Sequence, residues 1–209
     1  QYYANANYTL PLANDQSLMF DFNIYRTNDE GDAKAGDISN TTWSLSGAYS
    51  FLAGHTLTLA YQQVHGDEPF DYAGFGDNGP GTGADSIFLA NSIQYSDFNG
   101  PGEKSWQARY DLAMSAYGLP GLSFMARYAN GKDIDGTKMA LDSPYRAYGY
   151  GEDGKHHETN LEAKYVVQQG PAKDLSVRLR QAWHRGNEAQ ADGDVNEFRL
   201  IADYPINIF

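Results

Sequence analysis

An all-β chain, folded as the wall of a transmembrane antiparallel up-and-down β-barrel, is what three features of the sequence predict. Polar and apolar residues alternate with period two in nine separate segments. The links between those segments are alternately short and long. No stretch reaches the roughly 18 continuous apolar residues that a membrane helix needs, whereas each segment approaches the ~10 residues of a tilted membrane strand.

The first two segments, about 1–11 and 16–27, are joined by the short link Pro11–Asp15. The third, 40–52, sets Trp43, Leu45, Gly47, Tyr49 and Phe51 against Ser44, Ser46, Ala48 and Ser50, and Ala53–Gly54 turns it into the fourth at 55–65. The fifth, 104–118, carries Trp106, Ala108, Tyr110, Leu112 and Met114 on one face and Gln107, Arg109, Asp111 and Ser115 on the other. Gly118–Gly121 leads to the sixth at 122–130, and Gln169–Lys173 joins the seventh, 157–168, to the eighth, 174–185. The eighth opposes Leu175, Val177, Leu179 and Trp183 to Ser176, Arg178, Arg180 and His184. The ninth, 196–208, opposes Phe198, Leu200, Ala202, Tyr204, Ile206 and Ile208 to Glu197, Arg199 and Asp203, with Pro205 as an irregularity and Phe209 as a terminal aromatic. The long links are 28–39, 66–103, 131–156 and 186–195.

Short turns on one rim and long loops on the other are the pattern of an outer-membrane barrel. A β-sandwich has no reason to sort its loops by length. The apolar faces are almost free of charge, and aromatics stand near strand ends (Tyr2, Phe20, Trp43, Phe51, Trp106, Phe124, Trp183, Tyr204) as in the girdles at lipid–water boundaries. Bacterial single-chain barrels have even strand numbers. Nine strands, with no initiator Met and no signal segment, therefore point to a fragment whose barrel closes with strands outside this sequence.

The net charge of −12 argues against a nucleic-acid partner, and the absence of Cys excludes disulfides and thiolate metal sites. Enzyme chemistry finds no support, since no G-x-S-x-G elbow occurs. His156 and His157 are adjacent and point apart on an extended chain, so they do not share a metal ion. The segment DIDG (133–136) lacks the later Glu of a calcium loop, and the glycines of 76–83 lack the Lys-Ser/Thr of a phosphate loop. No cofactor and no metal are expected. The acidic run 28–32 reads as a solvated loop, or as a site for divalent ions that bridge lipopolysaccharide phosphates.

Residues 70–112, 148–168, 177–185 and 196–205 closely resemble the OprD-type outer-membrane carboxylate channels. That resemblance implies an eighteen-stranded barrel of which residues 1–209 form the C-terminal half, in the bacterial outer membrane. It implies that 66–103 is a long extracellular loop folding inward to narrow the pore. The implied activity is passive, selective diffusion of small carboxylate-bearing solutes. Basic amino acids and small peptides come first, carbapenem-type antibiotics follow, and aromatic carboxylates are the alternative within the family. Outer-membrane lipid, lipopolysaccharide and the barrel-assembly machinery are the implied partners, and the barrel is a monomer or loose trimer. A more distant alternative is a non-transporting β-protein, either a binding module or a hydrolase.

Selecting a carboxylate needs fixed positive charge on the pore wall, and Arg supplies a fork that never loses its proton. Arg178 and Arg180, two apart on one strand, share a face about 7 Å apart. The family's basic ladder falls on Lys164, Arg178, Arg180 and Arg199. Arg109 and Arg127 are further inward-facing candidates, with pairing inside the wall as their expected role. The resemblance places Tyr72, Ser92, Tyr95 and Asp97 at the constriction, Asp97 attracting a cationic end. Its alternative role is to stiffen its own loop by bonding the backbone of Asn99 and Gly100. The arginines likewise have a bland alternative, pairing with Glu158, Glu162, Asp111, Glu197 or Asp203.

Overall fold

A computed structural model describes residues 1–33, 36–72 and 87–206. Nine strands occur: β1 Tyr2–Pro11, β2 Ser17–Asn28, β3 Ser39–Phe51, β4 His55–His65, β5 Lys104–Ala113, β6 Leu122–Ile134, β7 Gly154–Val166, β8 Ser176–Gly186 and β9 Val195–Asp203. They form one sheet in chain order, every neighbour antiparallel, with β1 and β9 at its edges. The first six links alternate short and long as the sequence predicts, but the β7–β8 link at 167–175 is no shorter than the β8–β9 link at 187–194.

Burial assigns the faces. On one side of the strands Leu45, Leu59, Trp106, Leu161, Leu179 and Leu200 are among many large apolar residues left exposed. On the other, Ser44, Gln62, Ser105, Glu158, Asn160 and His184 are fully or almost fully buried. A water-soluble sheet would do the reverse, because exposing a large aliphatic side chain to water costs about 1.5–3 kcal/mol. The apolar face is therefore a lipid face and the polar face is the inner one.

Several details depart from the sequence reading. The fifth strand stops at Ala113, and Met114 lies in a 3-10 turn (Met114–Tyr117) closed by Gly118 at φ 81° rather than on the apolar face. The β3–β4 turn is made by Leu52 and Ala53, both left-handed at φ 48° and 54°, the hairpin geometry that matches strand twist. Gly54 serves close packing instead, since a Cβ there would stand 2.6 Å from the Ala113 carbonyl oxygen. The sixth strand runs on to Ile134 through an irregularity between Gly131 and Ile134, and the ninth ends at Asp203, before Pro205. The glycines of 76–83, Ile208 and Phe209 lie outside the described residues.

Candidate functional site

The register of the last three strands builds a charged wall. Lys164 stands opposite Arg178, Glu162 opposite Arg180, and Arg180 opposite Arg199, all on the inner face. Glu162 lies between the two β8 arginines, 3.0 Å from Arg180 Nε and 3.7 Å from Arg178 Nε. Neither Nε finds a well-aligned hydrogen-bond acceptor, so these are charge contacts that leave the guanidinium donors largely uncommitted. Arg199 Nε is 2.9 Å from Glu197, and its Nη2 donates to the Gln94 carbonyl at 2.8 Å. Lys164 makes no ion pair among the described residues. Three arginines thus share two carboxylates and Lys164 adds an unpaired cation, a local positive excess inside an acidic chain.

Arg109 and Arg127 behave differently. Arg109 grips Asp111 with two 2.7 Å hydrogen bonds. Arg127 is buried and donates from Nε to Asn160 at 2.9 Å. Arg109 is thus paired within the wall, whereas Arg127 bonds a neutral amide, makes no ion pair among the described residues and leaves its buried Nη2 without a partner there.

The described parts of the loop after β4, 66–72 and 87–103, lie against the inner face, held by wall side chains. Asn40 donates to the Glu68 carbonyl, Gln62 to the carbonyls of Asp97 and Phe98, and Gln107 to that of Ala90. Buried Glu158 accepts the backbone N–H groups of Tyr95 and Ser96 at 3.0 and 2.9 Å, and Asn160 links that carboxylate to Arg127. At the loop's outer end Phe70, Ile87 and Leu89 pack with Tyr25 and Val64, beside Tyr72.

The constriction candidates come together. Asp97 accepts from the Ser92 hydroxyl at 2.5 Å and from the Tyr72 hydroxyl at 3.3 Å, while Tyr95 packs its ring 5.0 Å from that of His184. Burial pushes the Asp97 carboxyl above the ordinary Asp range, although both hydroxyls favour the charged form. Asp97 does not bond Asn99 or Gly100. The Gly100 N–H goes to Glu103 at 2.8 Å, and Asn99 donates to the Phe70 carbonyl.

Two groups escaped the sequence reading. Glu103, His156 and His184 form a buried chain, with His156 2.7 Å from each partner and His184 Nδ1 2.8 Å from the Gly193 carbonyl. A carbonyl only accepts, so His184 Nδ1 carries a proton. The other group surrounds a polar cavity of about 300 Å³, where Tyr95, Tyr145, Tyr148 and Tyr150 face Asp71, Asp97 and Asp192. Inward parity could have found His156 and Glu158, but not the distant loop groups they meet. His156 and His157 do point apart, His157 packing outward on Tyr128. Asp135 of the DIDG segment caps Thr137 N–H.

A lipid-facing barrel wall with a charged interior and an infolded loop defines an outer-membrane porin. The chain belongs to the OprD family: the model described as "outer membrane porin, OprD family" matches residues 1–208. It is 77% identical to Porin D of Pseudomonas aeruginosa over its whole length, which covers 47% of that relative, its C-terminal half. The Pseudomonas putida porin-like protein GalP is 31% identical across the chain, covering 44% of the relative. The chain therefore spans about half the length of the curated relatives it matches. Among solved structures, Pseudomonas aeruginosa OprD superposes with TM-score 0.91 at 75% identity, covering all of this chain and 53% of the other. OccD3 (OpdP) from the same organism superposes with TM-score 0.87 at 42% identity, covering all of this chain and 50% of the other.

Proposed function

We propose that the barrel containing this chain passes small carboxylate-bearing solutes selectively and passively, basic amino acids and small peptides foremost, with carbapenem-type antibiotics taking the same path. The long loops face the cell exterior. The supporting observation is the bond from Arg199 to the Gln94 carbonyl, three residues before Asp97. It brings the cationic wall and the acid-bearing loop to one place, so a solute with a carboxylate at one end and an ammonium or guanidinium at the other meets opposite charge at both.

Each element has a role in that passage. Arg178, Arg180 and Arg199 offer a carboxylate successive weak sites, already partly neutralised by Glu162 and Glu197, so that it moves on instead of staying bound. Lys164 extends the row toward the short-turn rim. Asp97 attracts the cationic end, Ser92 and Tyr72 orient its carboxylate, and Tyr95 shapes the opening.

Single-channel recording of the full-length barrel in planar bilayers tests this, with arginine, glutamate and benzoate added in turn. Preferential block by arginine, altered by Arg180→Gln and by Asp97→Asn, is the expected result. Stronger block by benzoate would move the selectivity to aromatic carboxylates, and an absence of conductance steps from folded protein would reject the channel.

A further inference from the structure

We infer that the outer wall carries a binding site for a phosphorylated lipid headgroup at the long-loop ends of β6, β7 and β8, centred on Lys132, Lys155 and Arg185. The site rests on the lipid-face assignment and is independent of what the pore transports.

Strand alternation turns Lys104, Lys132, Lys155, His157 and Arg185 outward, on the same face as Trp106, Tyr128 and Trp183. The register makes them neighbours: Lys104 stands directly opposite Lys132, and His157 opposite both Asn130 and Arg185. Like charges directly opposed across strands are unfavourable unless an anion relieves them. Asp133 relieves Lys104 at 3.0 Å, but Lys132 has no ion pair among the described residues. Lys155 meets only exposed Asp153, at 3.3 Å. Arg185 is fixed by the carbonyls of His184 and Val195 and by Asn196, with Asp194 a distant 3.9 Å from its Nε. Between them lies an open cavity of about 500 Å³ whose lining includes Lys132, Lys155, His157, Arg185, Asn130 and Asn187, and no carboxylate.

Position in the bilayer identifies the anion. Immediately below the cations runs a row of aromatics on the same face, with Trp43 against Tyr61 at 5.5 Å, Trp106 against Tyr128 at 5.6 Å, and Tyr128 against His157 at 5.8 Å. Tyr and Trp settle at the boundary between hydrocarbon and headgroups, which puts the cations in the headgroup layer. The opposite rim has its own outward aromatics, among them Tyr8, Phe20, Phe124, Tyr165 and Tyr204, but its outward strand positions carry no Lys or Arg. Outward strand cations at one rim alone match a membrane whose two leaflets differ in phosphate density. The occupant is a glycolipid of the outer leaflet, its sugar-linked phosphates received by Lys132, Lys155 and Arg185 and its acyl chains lying along the apolar face below.

The test uses the purified full-length barrel and measures retention of lipid A in three forms: bisphosphorylated, monophosphorylated and dephosphorylated. Binding should weaken in that order, and inorganic phosphate should not displace the lipid. In the triple variant Lys132→Gln, Lys155→Gln, Arg185→Gln, affinity for the bisphosphorylated form should fall about a hundredfold, as three surface cations near anionic lipid imply. Single-channel conductance should be unchanged, since these side chains face away from the lumen. Lys132→Arg with Lys155→Arg should retain binding, which separates loss of charge from misfolding. Equal binding by the triple variant, equal binding of the dephosphorylated lipid, or displacement by inorganic phosphate alone would each overturn the site.

Discussion

The inner faces of β1–β3 and of β7–β9 obey the same alternation yet are wired differently. On the first wall the polar side chains are mostly neutral and bond to one another: Asn5 to Asp21 and Asn23, Asn7 to Asn5, Thr42 to Asn40. On the second, Arg178, Arg180 and Arg199 meet Glu162 and Glu197, and Glu158 holds the loop. The first wall satisfies its polar groups largely within itself, whereas the second leaves the Nε groups of Arg178 and Arg180 without a hydrogen-bond acceptor among the described residues. Only the second places a row of fixed cations on the inner face, so under the proposed function the first wall is scaffold and the second is the selector.

The largest break in this contrast should come from Glu158→Gln. Its carboxylate takes two loop N–H groups and offsets buried Arg127, and breaking such a buried arrangement costs about 3–5 kcal/mol. The loop tip should detach, visible as a larger and noisier single-channel conductance. An unchanged trace would mean that Gln94–Asp97 is held elsewhere. Next in size, Arg180→Gln should weaken block by carboxylate solutes about tenfold, equivalent to ~1.4 kcal/mol. The matching change on the other wall, Asn23→Ala, should leave that selectivity untouched, and equal effects from the two would erase the distinction between scaffold and selector.

Acidification supplies a smaller effect with a defined sign. Burial raises the Asp97 carboxyl above its unfolded value, so on acidification the folded loop takes up this proton first. The stability linked to this proton is fully present below the unfolded value and is lost as pH rises through the folded one. Attraction for a cationic solute runs the other way, and arginine block should weaken severalfold as pH falls through a midpoint above that of an ordinary Asp. Asp97→Asn should abolish that step; a step that persists belongs to another group. The smallest change, about twofold in carboxylate block, is expected from Lys164→Gln at the end of the row, measured in the same recordings.

How much of this was legible beforehand can be read from individual residues. Trp106 and Gln107 were assigned to opposite faces from spacing alone, because a strand turns consecutive side chains to opposite sides whatever surrounds it. The same rule put Arg178, Arg180 and Arg199 inward together. Chain termini of strands were less secure: Met114 continues the alternation of β5, yet Gly118 closes a 3-10 turn around it. A turn depends on backbone geometry over a few residues, which alternation does not register.

The cluster at Gly131 marks the other limit. A Cβ there would collide with Glu103, His156 and Phe98, so the glycine is required by groups from the base of the long loop and from β7. The sequence separations involved, such as 53 residues between Glu103 and His156, carry no local pattern to read.

Sequence by itself determined the class of fold, the lipid and inner faces and the inward parity of the candidate cations, since each follows from a periodicity of two; the choice of four of them as a row came from the family resemblance. Only the tertiary structure decided that Arg109 pairs with Asp111, that Arg127 is buried against Asn160, and which carboxylate anchors the loop. Those choices rest on contacts between segments far apart in the chain, and hydrogen-bond geometry selects among partners that composition and spacing leave equivalent.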